Sequence, residues 1–240
     1  MLPMINAFDY SIALFVNQYV GRSWLFDSLV VFLSDQDFLK GGVALSLFWF
    51  AWIQTGGDAT ENRRRLLSML VACTVALTLG RVLQVGLPFR LRPLHTPELA
   101  LMLPATLHPK ILDGWSSLPS DHATLFFAIS MGLMYVSRSL GLWSLAHTIV
   151  VVCLPRVYLG LHFASDLIVG ALIGMAASYL LCYREYGANV VQYILDWGKR
   201  FPAALHAGLF LITLQFATLF SDIRAIAGFV LTTARIVIGR

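Results

Sequence analysis

The stretch Pro155-Arg156-Val157-Tyr158-Leu159-Gly160-Leu161-His162-Phe163-Ala164-Ser165-Asp166 sets an arginine, a histidine and an aspartate inside a long apolar region. Ionisable side chains are costly in such a setting and point to function. His162 and Asp166 are four residues apart and would share one face of a helix. A carboxylate there holds an imidazole in one tautomer and leaves the other ring nitrogen free to attack or to take a proton. Arg156 adds a permanent cation. Alone, the triplet is equally consistent with polar contacts between membrane helices. Two upstream clusters, Arg90-Leu91-Arg92-Pro93 and Leu118-Pro119-Ser120-Asp121-His122, change that balance. Arginines supply bidentate donors to the non-bridging oxygens of a phosphate ester or anhydride, and backbone N–H groups at a helix start near Ser120 add to them. One imidazole can attack phosphorus while a second protonates the leaving oxygen. With Asp166 to orient it, His162 is the expected nucleophile and His122 the expected acid. The reading requires no metal and no cofactor.

Composition dictates what must position these groups. Of the 240 residues, 58% are hydrophobic and 12% charged, with a mean hydropathy of +0.74. Soluble domains carry about 25% charged residues, so an integral membrane protein of the all-α class is expected. The net charge of +4 comes from scattered basic residues, several beside apolar spans. It reads as membrane topology plus an anionic substrate, with no nucleic acid. Cys73, Cys153 and Cys182 lie in apolar stretches without C-x-x-C spacing, as small buried residues do. Asp9 and the absence of a basic residue before the first apolar run argue against a cleavable signal peptide.

Along the chain, residues 4–19 suit an interfacial helix, residues 23–34 are short for a span, and 41–53 with its flanks can cross a bilayer. A polar loop from Thr55 ends in Arg63-Arg64-Arg65, which the positive-inside tendency puts on the cytoplasmic side. The next span, about 66–88, then runs outward, and residues 89–119, broken by Pro93, Pro97, Pro104, Pro109 and Pro119, form an outer loop. Spans at about 121–137 and 142–154 are joined by Ser137–Gly141, and a run at about 163–183 returns inward. All three clusters therefore face the outer side. Residues 185–200 read as a cytoplasmic amphipathic segment, 203–220 as one more span, and 221–240, with Arg224, Arg235 and Arg240, as an interfacial helix or partial span. His95 and His108 are expected in solvent, His147 and His206 in ordinary interhelical contacts, and Trp115 as an interfacial anchor, with the lining of the substrate entrance as its second role.

At these residues the chain resembles the type 2 phosphatidic acid phosphatase superfamily, whose signatures are K-x6-R-P, P-S-G-H and S-R-x5-H-x3-D. Arg92-Pro93 matches the end of the first; Pro119-Ser120-Asp121-His122 matches the second with Asp121 in place of glycine; Arg156, His162 and Asp166 match the third with Pro155 in place of serine. The resemblance covers about residues 80–180. It implies a metal-independent phosphatase passing through a phosphohistidine on His162, with His122 as leaving-group acid and Arg92, Ser120 and Arg156 on the phosphate. The lysine of the first signature falls at Val85, which cannot donate; Arg90, or Arg81 one turn back, is expected to supply the cation, ahead of Lys110.

The resulting expectation is a single membrane domain over 1–240, with its core at about 66–183: a polytopic helical bundle of about six spans with an outer-face active site. The substrate is a membrane lipid phosphate or pyrophosphate, with polyprenyl pyrophosphate first and phosphatidylglycerol phosphate or phosphatidic acid next. A bacterial inner membrane is the expected location. The alternatives are a lipid phosphotransferase and a non-catalytic lipid-binding or transport protein.

Overall fold

The computed structural model describes residues 5–54 and 58–221, with 223, 225, 226 and 229 beyond; Arg224, Arg235 and Arg240 lie outside the described residues. The described residues are helical or irregular, without strands. Three helical segments are long and apolar enough to cross a membrane: Ala59–Gly86, Arg138–Tyr158 and Ala164–Tyr183. Shorter apolar helices span Phe38–Ile53, Asp121–Val136 and Pro202–Ala217, so the described apolar helices are compatible with a bundle of about six spans.

In chain order, α1 (Ala7–Asn17) is capped by Asn6, and α2 (Trp24–Asp35) by Ser23. At 12 residues α2 is about 18 Å long, well short of the roughly 30 Å hydrocarbon core. Its Asp27 is buried because it accepts from Tyr158 Oη at 2.5 Å and from the Gly21 N–H at 2.9 Å. A π-helical turn, Phe38–Gly42, leads into α3 (Val43–Ile53). Next comes α4 (Ala59–Gly86), which begins earlier than the hydropathy suggests. Asp58 accepts from the Glu61 N–H at 3.1 Å, and Glu61 pairs with Arg64 and Arg65, both at 2.7 Å. The arginine triplet therefore lies inside the first turns of α4, not in the polar loop expected there.

Residues 87–120 carry two single 3-10 turns, Pro93–His95 and Pro97–Leu99, as the prolines require. The central helix α5 (Asp121–Val136) packs against α4, against α6 (Arg138–His147) and against α8 (Ala164–Ser178). Ser137 alone joins α5 to α6, a tighter connection than the Ser137–Gly141 expected. A π-helical turn, Thr148–Cys153, continues α6 into α7 (Leu154–Tyr158), so Arg156 is helical. After α8 come α9 (Ala188–Arg200), with a basic last turn, and α10 (Pro202–Ala217).

The core joins Leu66, Met69 and Cys73 of α4 to Leu125, Phe126 and Leu133 of α5 and to Val152. All three cysteines are free and buried. Two glycines set the distance between α5 and α8. A Cβ on Gly174 would stand 2.2 Å from the Thr124 carbonyl oxygen, and one on Gly170 would stand 2.6 Å from that of Ser120. The small face of α8 thus lets the start of α5 lie against it.

Candidate active site

The third cluster closes on itself because Gly160, at φ +65°, reverses the chain after α7. The N–H groups of Leu161 and His162 both donate to the Arg156 carbonyl, at 2.9 and 3.3 Å. His162 consequently sits in the turn before α8, while Asp166 lies in its first turn; they are not two positions on one helix face. Asp166 Oδ2 accepts from the Phe163 N–H at 2.8 Å, capping α8, and stands 3.6 Å from His162 Nδ1. The nearest partner of Nδ1 is the Ser117 carbonyl at 2.9 Å. A carbonyl only accepts, so Nδ1 carries the proton and the lone pair of Nε2 is free for chemistry. Burial pulls the His162 imidazole down to about 4, which keeps it neutral at pH 7.

Arg92 meets that lone pair: its Nη1 lies 3.2 Å from His162 Nε2 and donates to the Leu161 carbonyl at 2.6 Å, while Nη2 donates to the Ser116 carbonyl at 3.4 Å. Burial lowers Arg92 to about 10, so it remains a cation at neutral pH. His162, Arg92 and His122 line one cavity of about 110 Å³ together with Arg81, Gln84, Trp115, Pro119 and Asp121. His122, in the first turn of α5, stacks on Phe126 at a centroid distance of 6.5 Å. The cations within electrostatic range of it are Arg156, Lys40 and Arg92. Ser120 is fully buried as the N-cap of α5; its Oγ accepts from the Ala123 N–H at 3.5 Å, and its own N–H donates to the Asp166 carbonyl at 3.2 Å.

The remaining expected phosphate ligands separate. Arg156 is buried and donates to the Val152 carbonyl of its own helix at 2.9 Å, beside the cavity wall rather than on it. Arg90 turns away from the cavity: it bonds Asp166 Oδ1 at 2.5 Å and Asp9 Oδ2 at 2.6 Å, and lies 4.4 Å over the Phe163 ring. Arg81 turns toward it, pairing with Asp121 Oδ2 at 2.6 Å and with Gln84 Oε1 at 2.7 Å, its guanidinium 5.3 Å from the Trp115 ring centroid. Val85, the position of the signature lysine, is 87% exposed and does not line the charged pocket. Lys110 is exposed on the loop.

Sequence reasoning missed three residues. Asp9 is 1% exposed and bound to Arg90. Gln84 bridges Arg81 and, through Nε2 at 2.8 Å, the Ser116 carbonyl. Lys40 is buried, donates to the Ser34 carbonyl at 2.6 Å and lies within electrostatic range of Arg156. A lone ionisable residue in an apolar helix was the signal available for Asp9 and Lys40. One other assignment shifts: His95 is half-buried, 3.0 Å from the Ile111 carbonyl. Trp115 lines the cavity, the second of the two roles open to it. His147 does reach another element, lying 2.8 Å from the Leu39 carbonyl.

A second, apolar cavity of about 800 Å³ opens beside the first, lined by Thr74, Leu77, Thr78, Val85, Phe89 and Phe220, and shares Arg81, Gln84, Trp115 and Asp121 with it. A charged pocket thus adjoins an apolar groove along α4.

The bacitracin transport permease protein BcrC of Bacillus licheniformis is 24% identical over 182 residues, covering 76% of this chain and 83% of that protein. The putative undecaprenyl-diphosphatase YbjG of Escherichia coli (strain K12) is 34% identical over 86 residues, covering 34% of this chain and 42% of that protein. No solved structure matches. The PAP2 superfamily model matches residues 65–189, just over half of the chain and the segment that contains every residue lining the charged pocket except Leu219. With the histidines and arginines of the charged pocket all in that segment, the chain belongs to the PAP2 superfamily and is a membrane phosphatase.

Proposed function

We propose that the chain hydrolyses a lipid phosphate or pyrophosphate whose tail stays in the bilayer, with a polyprenyl pyrophosphate as the first substrate to test. The observation that carries this reading is the join between the charged pocket and the apolar groove along α4. A headgroup in the pocket reaches His162, His122, Arg92 and Arg81 while an acyl or prenyl chain follows Leu77, Val85 and Phe89. The diphosphatase named among the relatives supports the pyrophosphate.

In the reaction, His162 Nε2 attacks phosphorus, a P–N bond forms, and the P–O bond to the leaving group breaks. His122 gives the leaving oxygen its proton. Water then attacks the phosphohistidine, His122 takes a proton from it, and phosphate leaves with Nε2 restored. Arg92, at 3.2 Å from Nε2, shifts its N–H donors to the incoming phosphoryl oxygens and meets the charge that develops on them. Arg81 takes the place of the signature lysine, held over the pocket by Asp121, the residue that replaces the signature glycine. The cation offered for the missing lysine and the carboxylate at the glycine position thus face each other as one ion pair. Arg156 acts from behind the wall as a fixed positive charge, and Ser120 orders the start of α5.

The test is phosphate release by purified protein from polyprenyl pyrophosphate, phosphatidylglycerol phosphate and phosphatidic acid in mixed micelles. Turnover of at least one by wild type, none by His162→Ala, and insensitivity to chelators are expected. Inhibition by a chelator and its reversal by added metal would contradict the mechanism. The name of the Bacillus licheniformis relative raises a transport reading; lipid movement without phosphate release would favour it.

A further inference from the structure

We infer that Asp9, on the N-terminal helix outside the segment matched by the family, is a positioning residue for this reaction, acting on His162 through Arg90 and Asp166. The inference rests on His162 being the nucleophile.

Asp9 stands at the first turn of α1, which packs against α7 and α8. Its carboxylate is buried and saturated: Oδ1 accepts from the Ser165 N–H at 2.9 Å, and Oδ2 accepts from Ser165 Oγ at 2.5 Å, Arg90 Nη2 at 2.6 Å and Asn6 Nδ2 at 2.8 Å. One helix thus caps another, since the Ser165 N–H is among the first amides of α8 and lacks a partner within it. Burial alone would raise the Asp9 carboxyl, but the bonds from Ser165 and Arg90 hold it below its ordinary value, so it is an anion at pH 7.

Arg90 then bridges two buried carboxylates. Nη1 bonds Asp166 Oδ1 at 2.5 Å and Ser165 Oγ at 2.8 Å, while Nη2 takes Asp9. The fork fixes the carboxylate plane of Asp166, whose other oxygen faces His162 Nδ1 at 3.6 Å and holds the Phe163 N–H. Without the Asp9 charge, Arg90 keeps Asp166 as a carboxylate partner but loses its second anchor, and the pair is free to move together. A small displacement of a group that orients a nucleophile costs rate without weakening substrate binding. The 65–189 segment supplies Arg90 and Asp166, whereas Asp9 reaches them from outside it.

The experiment compares Asp9→Asn, Asp9→Glu and Asn6→Ala with wild type and His162→Ala, using phosphate release from the best lipid of the panel, in kcat and KM separately. Asp9→Asn should lower kcat about 10–100-fold with KM within about twofold. Asp9→Glu, which keeps the charge on a longer arm, should recover part of the loss. Asn6→Ala removes a bond to Asp9 and the cap of α1 but leaves the Arg90 link, and should stay close to wild type. Wild-type kcat in Asp9→Asn, or an equal loss in Asn6→Ala, overturns the inference. If Asp9→Asn does not fold, Asp9→Glu decides, with a reduced kcat at unchanged KM expected and wild-type kcat contradicting. Retained activity in His162→Ala would instead remove the nucleophile itself, and so separates failure of the mechanism from failure of this inference.

Discussion

His162 is useful as a nucleophile because it is neutral, and it is neutral because it is buried beside two arginines. The sign follows directly: a histidine lowered from 6.5 to about 4 loses its reactive lone pair only as the pH falls through that lower value. The acid limb of kcat/KM should therefore lie near pH 4, and an acid limb near 6.5 would contradict the burial argument. Arg81 gives a second prediction at this scale. Because its guanidinium lines both the charged pocket and the apolar groove, Arg81→Ala should raise KM about tenfold or more, whereas Arg90→Ala should act mainly on kcat. These two arginines also mark the limit of reading residues from sequence. Spacing brings both within one turn or so of the missing lysine, but the direction of each side chain depends on its counterion. Arg81 finds Asp121, one residue into α5, and Arg90 finds Asp9, 81 residues away. Local pattern cannot supply the second partner.

At the scale of elements, the site depends on how closely α5 and α8 approach and on the turn that precedes α8. Gly174→Leu would drive a side chain into the Thr124 carbonyl and should lower stability by about 1–3 kcal/mol, measured as a shift in the thermal midpoint in detergent. An unchanged midpoint would mean that the two helices do not pack as described. Most elements were legible from hydropathy and proline placement: the irregular 89–119 segment, the apolar runs and the amphipathic α9 all follow those signals. Two features escaped. The start of α4 was hidden because charged residues read as loop, when they are paired at i, i+3 and i, i+4 on a capped first turn. The closeness of His162 and Asp166 was anticipated from helical spacing, but it arises from a glycine-led turn and an aspartate cap.

For the whole molecule, the proposal is a single helical domain whose pocket opens on the outer face of the membrane, in bacteria the periplasmic side of the inner membrane. Orientation rests on Arg63, Arg64 and Arg65 at the start of α4 and on Lys199 and Arg200 at the end of α9, all assigned inward. In a variant with Cys73, Cys153 and Cys182 replaced, Lys110→Cys should react with a membrane-impermeant maleimide added to intact cells, and Lys199→Cys only after the membrane is opened. The reverse pattern would invert the topology. Composition disclosed the membrane and the anionic substrate, but the role of α1 was not legible there. Its Asp9 reads as one polar interruption among several until the fold sets it against Arg90.

The central claim is a covalent phosphoryl group on His162, and trapping it is the most direct measurement. Rapid acid-free denaturation of the protein during turnover of a radiolabelled lipid pyrophosphate should leave label on the chain that survives base and is lost in acid, as a phosphoramidate is. The label should be absent in His162→Ala. Label that persists in His162→Ala, or turnover by wild type with no labelled chain at any time before product appears, would contradict the account.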